Sequence, residues 1–88
     1  MDIHIATRSV LDESGRTRRF HYFLIVDVVD SGSFCCENYG VRITEDEHNT
    51  CALPALTVSA ERIDRLVTTL VDNAVGPVGL RDVIEEWI

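Results

Sequence analysis

Lysine is absent from this chain of 88 residues, so each of its 8 basic residues is an arginine. That absence excludes a lysine Schiff base, a lysine general base and a phosphate-binding loop of the G-x-x-x-x-G-K type. The chain also lacks C-x-x-C or H-x-x-x-H metal spacings and a G-x-S-x-G nucleophile elbow. No signal segment or membrane-length apolar run is recognisable. We therefore expect a protein that is not an enzyme and binds no cofactor.

The net charge and the number and spacing of the cysteines further restrict the class of protein. The formal net charge is -7, which disfavours binding to nucleic acid or to an anionic membrane. The 3 cysteines are an odd number, and Cys35 and Cys36 are adjacent, which is not typical of a disulfide framework. An apolar fraction of 45% is ordinary for a globular protein. These properties predict a single cytoplasmic domain spanning residues 1–88.

Alternating or continuous apolar runs predict four strands. They span residues 1–10, 18–29, 33–44 and 50–56, and polar turns separate them. Pro54 has no N–H for a ladder, so the fourth strand should lie at an edge of the sheet.

The turn Ser31–Gly32 suits a two-residue hairpin between the second and third strands. It predicts that Asp30 pairs with Ser33 and Tyr22 with Val41. The predicted core side of the second strand consists of Phe20, Tyr22, Leu24, Val26 and Val28. In this register Glu37 points inward against Val26, which suggests a bulge within residues 37–40.

Two helices follow the strands. Ser59 is a good N-cap, and an apolar stripe at helical spacing extends from Ile63 to Ala74. Gly76 and Pro77 should end this helix, with the glycine in a left-handed cap that makes a single hydrogen bond. A second stripe from Leu80 to Ile88 predicts the last helix. The fold class is therefore α+β: an antiparallel β-meander of about four strands, with two C-terminal helices packed on one face.

The opposite face of the sheet supplies the candidate interaction site. Two short helices cannot cover both faces, so apolar side chains there need a partner. The predicted interface consists of Phe23, Ile25, Val29 and Phe34. Alternatively, residues of the first strand or of the N-terminal turn could fold over this face. Because a two-fold dimer is the simplest way to bury such a face, we expect self-association and allow for a protein partner.

The sequence is also compatible with four other interpretations. A metal site could combine cysteines with His21 or His48, although the spacings do not support one. Arg16, Arg18 and Arg19 beside Phe20 could contact RNA, but they could equally neutralise nearby acidic residues. A pocket between sheet and helices could bind a small ligand or support catalysis. An acidic antagonist of a basic partner, as in small antitoxins, is a further alternative.

Two segments resemble a family of short, uncharacterised bacterial proteins. They are Tyr39–Ile43, with the sequence YGVRI, and Pro77–Trp87, with the sequence PVGLRDVIEEW. The similarity covers most of the chain from Phe20 onward. It implies a small intracellular bacterial protein, and it transfers no catalytic or binding residue.

Overall fold

The computed structural model describes residues 1–30, 32, 35–46 and 48–88. Strands β1 (Asp2–Leu11), β2 (Thr17–Asp30), β3 (Cys35–Thr44) and β4 (Thr50–Thr57) form one antiparallel sheet in the order β1-β2-β3-β4. They are followed by α1 (Ala60–Asp72), a 3-10 turn (Pro77–Gly79) and α2 (Leu80–Trp87). The predicted α+β class, strand order and C-terminal helix pair are confirmed. No helix among the described residues is long and apolar enough to span a membrane.

The register between β2 and β3 differs from the predicted one by two residues. Asp30 pairs with Cys35, and Tyr22 pairs with Ile43 rather than Val41. The predicted two-residue turn involves Ser31, which lies outside the described residues, as do Ser33 and Phe34. A shift of two leaves every side chain on its predicted side of the sheet, because side chains alternate with period 2.

The same shift explains why Glu37 does not point inward against Val26, as the predicted register had it. This residue pairs with Val28 near the end of the sheet, where it is exposed, and its carboxylate accepts a 2.6 Å hydrogen bond from the Tyr39 hydroxyl. The expected bulge in β3 is wrong. The ladder is instead interrupted in β4, because Tyr39 pairs with Thr57 whereas Val41 pairs with Leu53.

The core lies between the sheet and the helices. We call this side of the sheet the helix side and the other the open side. The buried apolar cluster joins Phe20, Tyr22, Val41 and Ile43 of the sheet to Ile63, Leu66, Val67, Leu70, Leu80 and Ile84 of the helices. The Tyr22 hydroxyl donates a 2.9 Å hydrogen bond to the Val75 carbonyl, which ties the sheet to the chain after α1.

Helix α1 begins as predicted but ends differently. The Ser59 hydroxyl accepts a hydrogen bond from the Arg62 amide at 3.2 Å. At the other end the left-handed residue is Ala74, with φ of 49°, and not Gly76. The Val75 amide donates a hydrogen bond to the Leu70 carbonyl, and the Ala74 amide donates one to the Val71 carbonyl. These two hydrogen bonds define a Schellman cap, rather than the predicted cap with a single hydrogen bond. Gly76 serves another purpose, since a Cβ there would lie 3.0 Å from the Phe20 ring.

The sheet is longer than the helix layer. Strand β2 has 14 residues and α1 has 13. A strand rises about 3.3 Å per residue and a helix about 1.5 Å, so β2 is more than twice as long. Val28, which was predicted to belong to the core, is consequently 64% exposed.

Candidate functional site

The predicted interface residues differ in exposure. On the open side, Ile25 is only 8% exposed and Phe23 is half-buried, whereas Val29 is 44% exposed. Phe34 lies outside the described residues. The expectation that this face lacks cover within the chain is therefore wrong for Ile25. The interface itself stays a prediction.

Side chains from both neighbouring strands provide this cover. The guanidinium carbon of Arg42 lies 4.4 Å from the centroid of the Phe23 ring, and the His4 ring lies 5.3 Å from it. Arg42 of β3 also forms a 2.8 Å ion pair with Asp2 of β1. Because β2 lies between those strands, this ion pair crosses the open side at the level of Phe23 and Ile25. The sequence placed Phe23 and Ile25 on one face and left open that first-strand residues fold over them, as Asp2 and His4 do, but it did not reveal the ion pair with Arg42.

A row of polar side chains continues along the open side. The Thr7 hydroxyl lies 2.9 Å from His4 Nε2 and 2.9 Å from His21 Nδ1. Among the described residues, no group of three or more His, Cys, Asp or Glu side chains is placed to hold a metal ion. Cys51 pairs with Ile43, which is seven residues along β3 from Cys36, so the register separates these two thiols. The row can stabilise the β1–β2 pairing.

The strand-connecting turns contain a second polar cluster. Arg18 is held by Glu45 through a forked pair whose Nη2–Oε2 distance is 2.9 Å. This hydrogen bond lowers the pKa of Glu45. Backbone amides of His48 and Asn49 lower the pKa of Asp46 in the same region. Arg18 and Glu45 thus neutralise each other and backbone amides bind Asp46, so this arrangement stabilises the turns.

An uncovered apolar surface lies on the helix side, beyond the end of the helix layer. We call it the sheet-end patch, and it consists of Met1, Ile3, Val26 and Val28. Ile3 pairs with Leu24, and Met1 exchanges both backbone hydrogen bonds with Val26, which places the four residues on one side. Met1 is 76% exposed, and Ile3 is also exposed.

A groove continues from this patch between β1 and α1. Its volume is about 420 Å³. Its apolar lining comes from Ile5, Ala6, Leu24, Ala60, Ile63, Val67 and Val71, and Tyr39 and Thr68 also line it. The volume lies within the usual range for ligand sites, about 300–1,000 Å³.

A bulge in β1 shapes the groove. His4 pairs with Phe23 and Ala6 with Tyr22, so Ile5 is an extra residue in β1. Consecutive strand residues normally face opposite sides, yet Ile5 and Ala6 both line the groove. Bulges re-aim side chains in this way. The alternation of Ile3 and Ile5 with polar residues indicated a strand but gave no sign of the bulge.

The rim of the groove is acidic. Asp64 and Asp72, eight residues apart on α1, both line it, and no basic residue does. Neither aspartate belongs to an ion pair found among the described residues. Arg8 faces the helix side further along β1, opposite Phe20, and lies outside the lining. The site can accommodate an apolar group attached to a positive charge.

These features define an α+β domain whose four-stranded meander carries two helices on one side and a groove beside its first strand. The chain belongs to a family of unknown function, DUF6514, whose model matches residues 1–88. No curated protein and no solved structure matches the chain. This membership confirms that the chain belongs to a family without an assigned function, as the resemblance had implied.

Proposed function

We propose that this protein is a non-enzymatic interaction domain that forms a homodimer in the bacterial cytoplasm. The observation that supports it is the sheet-end patch, where Met1 and Val28 are 76% and 64% exposed. Small proteins seldom leave contiguous apolar surface in water unless it contacts a partner. The 3 free cysteines, one of them exposed, are compatible with a reducing compartment.

A second copy is the occupant that we favour for the patch. The net charge of -7 causes long-range repulsion between two copies, which burial of the apolar patch can offset. A two-fold axis would place the patch of one copy against the same patch of the other. Val29 lies at the same end of β2 on the open side, so the predicted open-side interface would be its neighbour.

Sedimentation equilibrium of single-residue variants tests the homodimer. We expect the wild-type protein to be dimeric at tens of micromolar and Val28→Asp to be monomeric, since a buried unpaired carboxylate is costly. Val78→Asp is the matched control, because Val78 is 85% exposed in the 3-10 turn and lies outside the sheet-end patch. It should remain dimeric.

Two results would contradict this proposal. A wild-type protein that is monomeric throughout the concentration range would refute self-association. If Val29→Asp or Phe23→Ser dissociated the dimer while Val28→Asp did not, the interface would lie on the open side. Circular dichroism of each variant shows whether the fold is retained.

Ligand binding is the second candidate function, and the groove between β1 and α1 is the observation that favours it. The groove combines an apolar floor with a few polar groups at its rim, which is the usual composition of a binding site. Its acidic rim also suits the alternative in which a basic partner is bound.

A further inference from the structure

The groove lies beside strand β1, which is an edge of the sheet. Strand β1 is the first strand in the sheet order, so within the part of the chain that the structure describes only β2 adjoins it. The hydrogen bonds of Met1 with Val26 and of the Asp12 amide with Arg16 indicate which β1 residues face β2. In an antiparallel ladder the intervening residues direct their N–H and C=O groups outward. On the stretch after the bulge these residues are Thr7, Ser9 and Leu11.

A sheet edge next to a groove favours an extended peptide as the occupant. An added strand forms backbone hydrogen bonds with an edge, and its alternate side chains enter an adjacent pocket. Ile5 and Ala6 belong both to β1 and to the groove lining, so the edge and the pocket adjoin. A helix lying in the groove would leave the outward amides of β1 unused.

The acidic rim selects the charge of the occupant. Asp64 and Asp72 are exposed, and they are the charged residues in the lining of the groove. A basic side chain could lie along the rim and keep its charge in water while its stem covers apolar surface. An acidic occupant would be repelled by both aspartates.

We propose that the groove binds an extended segment of another protein, which adds to β1 as a fifth strand. The segment carries an apolar side chain that enters the groove and a basic residue two positions away on the same side, within reach of the rim. This inference deepens the ligand-binding candidate above, and it does not require the homodimer.

Selection from a displayed library of random decapeptides, with the full-length protein as target, tests the proposal. We expect enriched peptides to combine apolar and basic residues at alternate positions. The most enriched peptide is then synthesised with a fluorescent label, and its affinity is measured by anisotropy. Because rim charges are partly exposed, the double variant Asp64→Asn, Asp72→Asn should bind about 3- to 30-fold more weakly. Asp82→Asn, an exposed aspartate on α2, is the control and should bind normally.

A second pair of variants tests the strand pairing. Proline is tolerated on the outer edge of a sheet, so Ser9→Pro removes one outward amide while the fold is kept. It should weaken binding about 3- to 10-fold, the effect of one hydrogen bond, whereas Ser9→Ala keeps the amide and the affinity. If Ser9→Pro fails to fold, N-methylation of the peptide at successive positions replaces it. N-methylation at every second peptide position should then weaken binding at least 3- to 10-fold, and N-methylation at the positions between them should not.

Each contrary outcome overturns a definite part of the proposal. Failure to enrich any peptide, or enrichment of acidic peptides, refutes the basic segment. Binding that depends on Asp64 and Asp72 but not on Ser9→Pro or N-methylation shows a helical or small cationic occupant and refutes strand addition. Sedimentation equilibrium measured on the same samples distinguishes these failures from failure of the homodimer.

Discussion

Gly40 should be the glycine of this fold that is least tolerant of a side chain. It lies in β3, opposite the irregular part of β4 where Tyr39 pairs with Thr57 and Val41 with Leu53. A Cβ at Gly40 would lie 2.4 Å from the carbonyl oxygen of Leu53 and 2.5 Å from Cα of Pro54. Both are backbone atoms, so no side-chain rotation relieves the overlap. The substitution Gly40→Ala therefore requires β4 to move.

The expected cost follows from two opposing effects. Overpacking in a well-packed region costs about 1–3 kcal/mol, and a clash with backbone belongs at the upper end. Alanine recovers about 0.4–1 kcal/mol, because it restricts the unfolded chain more than glycine does. The net loss in the free energy of unfolding is about 2 kcal/mol. For a domain of this size the midpoint temperature should fall by about 8–16 °C.

Urea denaturation followed by tryptophan fluorescence measures this loss. Trp87 is the single tryptophan, and the guanidinium of Arg62 lies 4.6 Å from its ring centroid, so its emission should change on unfolding. Gly79→Ala is the matched control, because its nearest neighbour would be Val75 Cγ1 at an ordinary 3.7 Å. If Gly40→Ala and Gly79→Ala unfolded at the same urea concentration, the close approach of β4 to Gly40 would be refuted.

Two further substitutions test local features of the fold. Ala74→Gly should raise the free energy of unfolding by about 0.5–1 kcal/mol, because Ala74 has φ of 49° and the left-handed conformation is strained for a residue with Cβ. Ala60→Gly in α1 should lower it instead, and urea denaturation that shows both changes with the same sign would contradict the cap. For pH dependence, the bond from Arg18 lowers the folded pKa of Glu45 below its ordinary value of 4.5, so the ionised form stabilises the fold. This contribution is present above about pH 4.5 and is lost as the pH falls through the lower folded pKa. The urea midpoint of the wild-type protein should therefore fall more on acidification than that of Glu45→Gln, and equal slopes would exclude the contribution.

The sequence predicted the helices and the sides of the strands better than the ladder between the strands. The Ser59 cap and the apolar stripe from Ile63 onward depend on neighbours within one or two helical turns, so they can be read locally. The pairing of Tyr22 with Ile43 depends on how many residues separate the strands in the connection, and the Ser31–Gly32 pattern indicated too few. A register shifted by two residues keeps the same sides, which is why the predicted core remained largely correct.

The candidate site was less accessible to sequence reasoning. Phe23 and Ile25 were predicted to need a partner, but the Asp2–Arg42 ion pair and the His4 ring lie over this part of the sheet. Those contacts join strands that are far apart in the chain, so no local pattern reveals them. The groove likewise depends on the bulge at Ile5 and on the position of α1 above β1.

Short-range physical chemistry in the sequence was sufficient to determine a lysine-free, acidic α+β domain with four strands, two helices and an apolar core side of β2. Periodicity, caps and turn residues act over a few positions, and they specify elements and the faces those elements bury. Only the tertiary structure decided which apolar residues stay exposed, because exposure depends on relative lengths and on cross-strand neighbours. The helix layer ends before β2 does, which leaves Val28 in solvent, and the ion pair over β2 crosses the open side at Ile25. The exposed apolar surface therefore includes the helix side beyond α1, where the sequence pattern had indicated core.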